Sequence, residues 1–213
     1  MEILLMIPVL LFSVIAHEVA HGYIAYRCGD NTARYQGRLT FNPIPHIDLF
    51  GTIIFPALLM ITNSPFLIGW AKPVPVNPYN FRNPGRDDIY VSLAGIATNL
   101  LLAVLSTVLF GVYINFVPAS AGDALIIMFK YGIQINVLLA VFNLMPVPPL
   151  DGSWVLYHLL PGNLADAYRK LFPYGFLILM LLVMTGALSA IMMPVRGLIL
   201  AFLRTLLQAI ANT

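Results

Sequence analysis

The chain has 213 residues, 60% of them hydrophobic and only 9% charged, with a formal net charge of +2, whereas an ordinary soluble domain carries about 25% charged residues. That balance excludes a soluble globular domain and, with no basic run anywhere, a nucleic-acid partner; it points to a multi-pass membrane protein. The one cysteine, Cys28, excludes an intramolecular disulfide.

The first predicted helix runs from Ile3 to Tyr26 and is closed by Cys28-Gly29-Asp30, with Gly29 suited to a helix stop. Met1-Glu2 is not a basic n-region, and the apolar run flows directly into His17, so this helix reads as a retained span rather than a signal peptide. Residues 31–48 are polar and turn-rich, and RYQGRLTFN within them (residues 34–42) is expected as a short hairpin or edge strand. Residues 49–71 are charge-free but interrupted by Pro56 and by Asn63-Ser64-Pro65, and the proline-rich stretch 72–88 is irregular. Three further charge-free stretches, 89–122, 131–150 and 171–195, each meet the roughly 20 apolar residues that a span requires. They predict helices over 89–117, 124–145 and 172–193. The tail from Val195 is either a last, weak span or an interfacial amphipathic helix.

The expected fold is therefore an all-α polytopic membrane protein of about five to six transmembrane helices, with a re-entrant or short β-hairpin segment after the first. It forms one transmembrane domain over 1–213: a catalytic core over about 1–160 and C-terminal helices over about 170–213. No internal repeat, low-complexity tract or appended soluble domain is visible. Arg27, Arg34 and Arg38 follow the first helix, Lys72, Arg82 and Arg86 follow the interrupted segment, and Arg169 and Lys170 precede the last long span. Short cytoplasmic loops carry such an excess of Lys and Arg. If all three groups are cytoplasmic, residues 39–70 enter the membrane and return on the same side, turning at Asn63-Ser64-Pro65.

The chemistry is concentrated in SVIAHEVAHGYIAYR, residues 13–27. His17 and His21 stand four residues apart, so on a helix their imidazoles share one face, with Glu18 beside them. The pattern is H-E-x-x-H, whose mechanism is zinc ligation by both histidines with the glutamate as general base. Its setting sharpens it: residues 3–16 carry no charge and Glu18 is one of only two glutamates. A charge at a span's centre costs about 2.5–3.5 kcal/mol even on lenient insertion scales, so an ionisable group there is functional by default. With Arg27 at the cytoplasmic edge, His17 lies about 15 Å deeper.

A catalytic zinc takes three protein ligands and keeps a fourth position open. His46, Asp48, Asp151 and His158 are the candidates for the third, and Asp151 is the strongest. It follows an uncharged span, and Pro146, Pro148 and Pro149 break the helix before it. The competing reading of Asp151 alone is an N-cap of the helix that follows. His46 and Asp48 suit loop structure or a cavity rim, and His158 an interfacial histidine. Two neutral histidines, Zn²⁺ and the carboxylates of Asp151 and Glu18 sum to zero charge, whereas two buried carboxylates without the metal would take up protons.

Together, His17-Glu18-Val19-Ala20-His21 in the first helix and Asn143-Leu144-Met145-Pro146-Val147-Pro148-Pro149-Leu150-Asp151-Gly152 resemble the site-2 protease family of intramembrane zinc metalloproteases. GWAKPVPVNPYNFRNP (69–84) and FNPIPHID (41–48) look like its compact branch, which lacks a PDZ domain. The resemblance implies one zinc held by His17, His21 and Asp151, Glu18 as catalytic base, and hydrolysis of peptide bonds within or beside a substrate's transmembrane helix. One departure is visible: the family often shows Ala-Gly-Pro ahead of an Asn, where this chain reads Ala94-Gly95-Ile96-Ala97-Thr98-Asn99. That puts a local helix bend in doubt.

A substrate helix hides its carbonyls in its own hydrogen bonds, so it must unwind, and residues 35–48 are expected to receive it by strand addition. Asn143 and Asn99 are the candidate substrate contacts; the competing reading of both, and of Asn136, is a helix–helix hydrogen bond. The expected partners are transmembrane protein substrates and the bilayer, at a prokaryotic cell membrane with the site reached from the cytoplasm. The alternatives are a zinc transporter and a non-catalytic relative that binds membrane helices.

Overall fold

The computed structural model describes residues 2–62, 69–117 and 123–211. Helix α1 spans Glu2–Cys28, followed by one helical turn, α2, at Thr32–Tyr35. A π-helix over Leu49–Ile54 runs straight into α3, Phe55–Ile61. The long helix α4 covers Pro84–Phe116 and α5 Asp123–Leu144; then come α6 at Asp151–Leu159, α7 at Gly162–Arg169, α8 at Gly175–Met184 and α9 at Ala187–Ala211. Among the described residues, five stretches are long and apolar enough to cross a bilayer: Leu4–Cys28, Pro84–Phe116, Ala124–Leu144, Gly162–Met184 and Ala187–Ala211.

Helix α4 is the hub, packed against α1, α5, α6 and α9. A series of its buried residues recurs every four positions: Val91, Gly95, Asn99, Ala103, Thr107 and Gly111. That is the repeat of one helix face, and its small side chains let neighbouring backbones approach where lipid removes any hydrophobic drive between helices. Leu101, Leu105, Leu109 and Phe116 lie exposed on the other side. Buried Val137 and Val141 of α5, and Met145 just beyond its end, meet Leu188, Met192 and Leu203 of α9 beside Ala103. Helix α4 runs uninterrupted through Ile96, which is buried.

Three expectations change. No strand occurs among the described residues, and the segment expected as a hairpin over 34–42 is the end of α2 followed by irregular chain. The segment is anchored instead through side chains: ahead of it Asp30 accepts from the Thr32 N–H and hydroxyl, and within it the buried Arg38 donates to the carbonyls of Lys72 and Pro73. The helix expected over 172–193 is divided. Gly186 at φ +73 ends the run, because the left-handed conformation open to glycine cannot continue a helix. The tail is consequently part of α9, a full 25-residue helix.

The excursion after α2 begins and ends at one place: Trp70 N–H donates to the Gly51 carbonyl, and the Thr52 hydroxyl to the Trp70 carbonyl. Gly51 and Thr52 thus lie beside Trp70. The turn expected at Asn63-Ser64-Pro65 lies outside the described residues. The loops that carry the basic residues are tied together at one end of the helices. The Asn77 N–H and the Asn80 amide donate to Asp30, Arg82 N–H donates to the Cys28 carbonyl, and His158 Nε2 lies 2.6 Å from Asp88 Oδ2.

Candidate metal centre

His17 and His21 follow one another around a single turn of α1, both buried against α4. Their Nε2 atoms approach to 2.9 Å. Asp151, in the first turn of α6, brings its Oδ2 to 3.2 Å from His17 Nε2 and 3.4 Å from His21 Nε2. The N-cap of α6 is Leu150, so Asp151 is not spent on capping. The carboxylate arrives because α5 ends at Leu144 and the chain turns tightly through Met145, Val147 and Leu150, each N–H bonding a carbonyl two or three residues back. Helix α6 then starts in contact with the end of α5, with Gly152 against the Leu144 carbonyl.

The outer nitrogens decide what this group can hold. His21 Nδ1 lies 2.7 Å from the Val91 carbonyl, which can only accept, so Nδ1 carries a proton and, in the neutral ring that a metal requires, Nε2 keeps the lone pair. His17 Nδ1 lies 2.6 Å from Asn99 Oδ1, with the same consequence. Two lone pairs and a carboxylate oxygen therefore face one another, and Asp151 Oδ2 is buried with no hydrogen-bond donor. A shared proton satisfies one pair of three. A cation satisfies all three. Ligands about 2.0–2.1 Å from a tetrahedral zinc stand roughly 3.3 Å apart, close to the separations here. Among the described residues this is the group of His, Cys, Asp or Glu side chains placed to hold a metal ion.

Glu18, half-buried beside the pair, accepts the Val74 N–H at 2.8 Å. Val74 belongs to an extended segment fixed at several points: Lys72 N–H donates to the His46 carbonyl, and Asn77 N–H to Asp30. Burial by itself would raise the Asp30 carboxyl, but donors from Asn77, Thr32 and Asn80 outweigh it and hold the group below the ordinary carboxylate range.

The other candidates fall outside the centre. His46 is buried and donates through Nε2 to the Thr40 carbonyl; Asp48 caps the π-helix by accepting the Gly51 N–H. His158 pairs with Asp88, joining α6 to α4. Asn143 donates to the Leu139 carbonyl of its own helix. Asn99 corrects an expectation. It is fully buried, with its amide committed to His17, Asn136 and Ser13, and it offers a substrate no face. Sequence reasoning did not single out Val74 or Ser13: an apolar residue used through its backbone leaves no signal, and a lone serine in a span leaves a weak one.

The profile of Peptidase family M50 matches residues 114–184. The protein named "Putative zinc metalloprotease YwhC" from Bacillus subtilis is 39% identical over 188 residues, 87% of this chain and 82% of the relative. Two proteins named "Putative zinc metalloprotease Rip2" are also similar. The one from Mycolicibacterium smegmatis is 34% identical, covering 84% of this chain and 66% of the relative, and the one from Mycobacterium tuberculosis is 33% identical, covering 82% and 65%. The chain thus spans just under two thirds of the mycobacterial relatives. No solved structure is significantly similar to it.

Proposed function

Because the chain belongs to peptidase family M50, we propose that it is an intramembrane zinc metalloprotease that hydrolyses peptide bonds within or beside transmembrane segments of membrane proteins. The observation that carries this reading is the convergence of two imidazole lone pairs and the Asp151 carboxylate on one point beside Glu18. His17, His21 and Asp151 would hold one zinc. When bound, zinc supplies the Lewis acidity that polarises a scissile carbonyl and acidifies water. Glu18 accepts the proton as water adds to the carbonyl carbon and delivers it to the leaving amine as the C–N bond breaks. The Val74 N–H aims that carboxylate.

The buried location of the centre favours substrate that arrives through the bilayer and unwinds locally. Asn143, whose amide N–H is spent on Leu139, offers its carbonyl oxygen to an exposed substrate N–H. The gathering of the basic loops at one end of the helices supports access from the cytoplasmic side. A transporter reading would need metal ligands repeated along a path, and a single such group is found among the described residues.

The test compares purified wild type with Glu18→Gln in detergent. About one zinc per chain in both proteins, with cleavage of single-span peptides by wild type only, is the expected result. Equal cleavage by both removes Glu18 from its role. Zinc flux across liposomes without cleavage replaces the protease with a transporter.

A further inference from the structure

We infer that Asn99 and Asn136 form a relay that sets the tautomer and orientation of His17, making Asn99 a positioning residue for the metal site rather than a substrate contact. The inference rests on the zinc reading above.

The direction of every bond follows from one backbone group. Asn136 Nδ2 donates to the Gly132 carbonyl at 2.8 Å. That oxygen can only accept, so the amide orientation of Asn136 is determined. Its Nδ2 also donates to the Ser13 hydroxyl at 2.9 Å, and its Oδ1 accepts from Asn99 Nδ2 at 2.8 Å. Asn99 is oriented in turn, with a second, longer bond from Nδ2 to the Ser13 carbonyl at 3.4 Å. Its remaining oxygen faces His17 Nδ1 at 2.6 Å. That nitrogen must carry a proton, and in the neutral ring Nε2 is left as the bare ligand.

The relay crosses three helices. Ser13 lies one turn before His17 on α1, Asn99 is on α4, and Asn136 and Gly132 are on α5. Asn99, Asn136, Ser13 and His17 are all buried, so water does not replace a lost partner. A histidine that binds metal through one nitrogen takes its geometry from the acceptor on the other, and losing that acceptor typically weakens metal binding about 10- to 100-fold. Ordinary helix–helix glue does not explain why the chain of donors ends on a ligand imidazole with its acceptor side foremost.

The experiment measures zinc affinity of the metal-free protein by competition with a chromophoric chelator, with gel filtration and circular dichroism as checks on folding. Asn99→Leu keeps the volume and removes the acceptor; it should bind zinc about 10- to 100-fold more weakly than wild type. Asn99→Asp keeps an oxygen on His17 Nδ1 but loses the donor to Asn136 and Ser13, so it should bind within a few-fold of wild type or more tightly. A purely structural role makes the two variants fail alike, and that outcome overturns the inference even if Asn99→Leu does not fold. Wild-type affinity in a folded Asn99→Leu overturns it also. A wild type that takes up no zinc sinks the protease reading itself. Asn115→Ala, which removes an amide bond to the Ile210 carbonyl far along α4, should leave the affinity unchanged.

Discussion

Glu18 on α1 and Val74, fifty-six residues later in an extended segment, are joined by a 2.8 Å bond from the Val74 N–H to the Glu18 carboxylate. The side chain proposed above as the base is thereby held by a backbone group, which cannot itself titrate. Val74→Pro removes that donor and trims a buried side chain, and the flanking Pro73 and Pro75 show the segment accepts proline's extended backbone. The variant should retain zinc and lose cleavage by about tenfold or more, read as a fall in kcat in a peptide assay with metal content measured alongside. Unchanged kcat would show that Glu18 needs no such support.

Two glycines let helices close around the candidate metal group. A Cβ on Gly95 would come within 2.5–2.6 Å of three atoms of the His17 ring, and one on Gly152 would meet the backbone of Leu144 and Met145. Overpacking of this kind costs about 1–3 kcal/mol. Gly95→Ala should displace the imidazole and lower zinc content with modest loss of thermal stability. Gly152→Ala, pressing on backbone that cannot rotate away, should cost more stability and carry Asp151 off the centre. Thermal denaturation together with zinc stoichiometry separates the two effects.

Metal removal has a thermodynamic signature. A ligand bound only by the folded state stabilises it by about 4 kcal/mol at a thousand times its dissociation constant. Zinc added to metal-free wild type should therefore raise Tm with concentration, and a strong chelator should reverse the rise. Asp151→Ala should abolish the zinc-dependent shift. A shift that survives in Asp151→Ala would place the metal elsewhere.

The loop that presents Val74 is anchored on Asp30, whose pKa is depressed below its usual 3.8. A depressed carboxylate stabilises the fold fully above its unfolded pKa, and that contribution is lost as pH falls through the folded value. The loss is thus confined to the region below about pH 4. Asp30→Ala should destabilise at neutral pH by about 2–3 kcal/mol, since it strands donors on Thr32, Asn77 and Asn80. Its Tm should depend less on acid than that of wild type.

Much of the membrane architecture is legible along the chain because it depends on runs of like residues. The absence of charge over residues 89–117 predicts most of α4, and 124–145 matches α5 almost to the residue. The last span was misread for a local reason: one glycine at positive φ interrupts an apolar run that composition alone shows as continuous. The hairpin expectation failed because residues 34–38 close a helical turn through the Gly37 and Arg38 N–H groups, and Arg38 then binds carbonyls 34 and 35 residues away.

For the centre, sequence by itself determined the pair His17 and His21 with Glu18 beside them, because a spacing of four on a helix is already a geometry. Asp151 could be ranked first among the candidates but not placed. Its meeting with the imidazoles depends on a turn between α5 and α6 and on the packing of both against α4. Only tertiary structure turned Asn99 from a substrate contact into the partner of His17, 82 residues away. An amide's role in a span is set by what it faces, and contacts between distant helices leave no periodic trace in the chain.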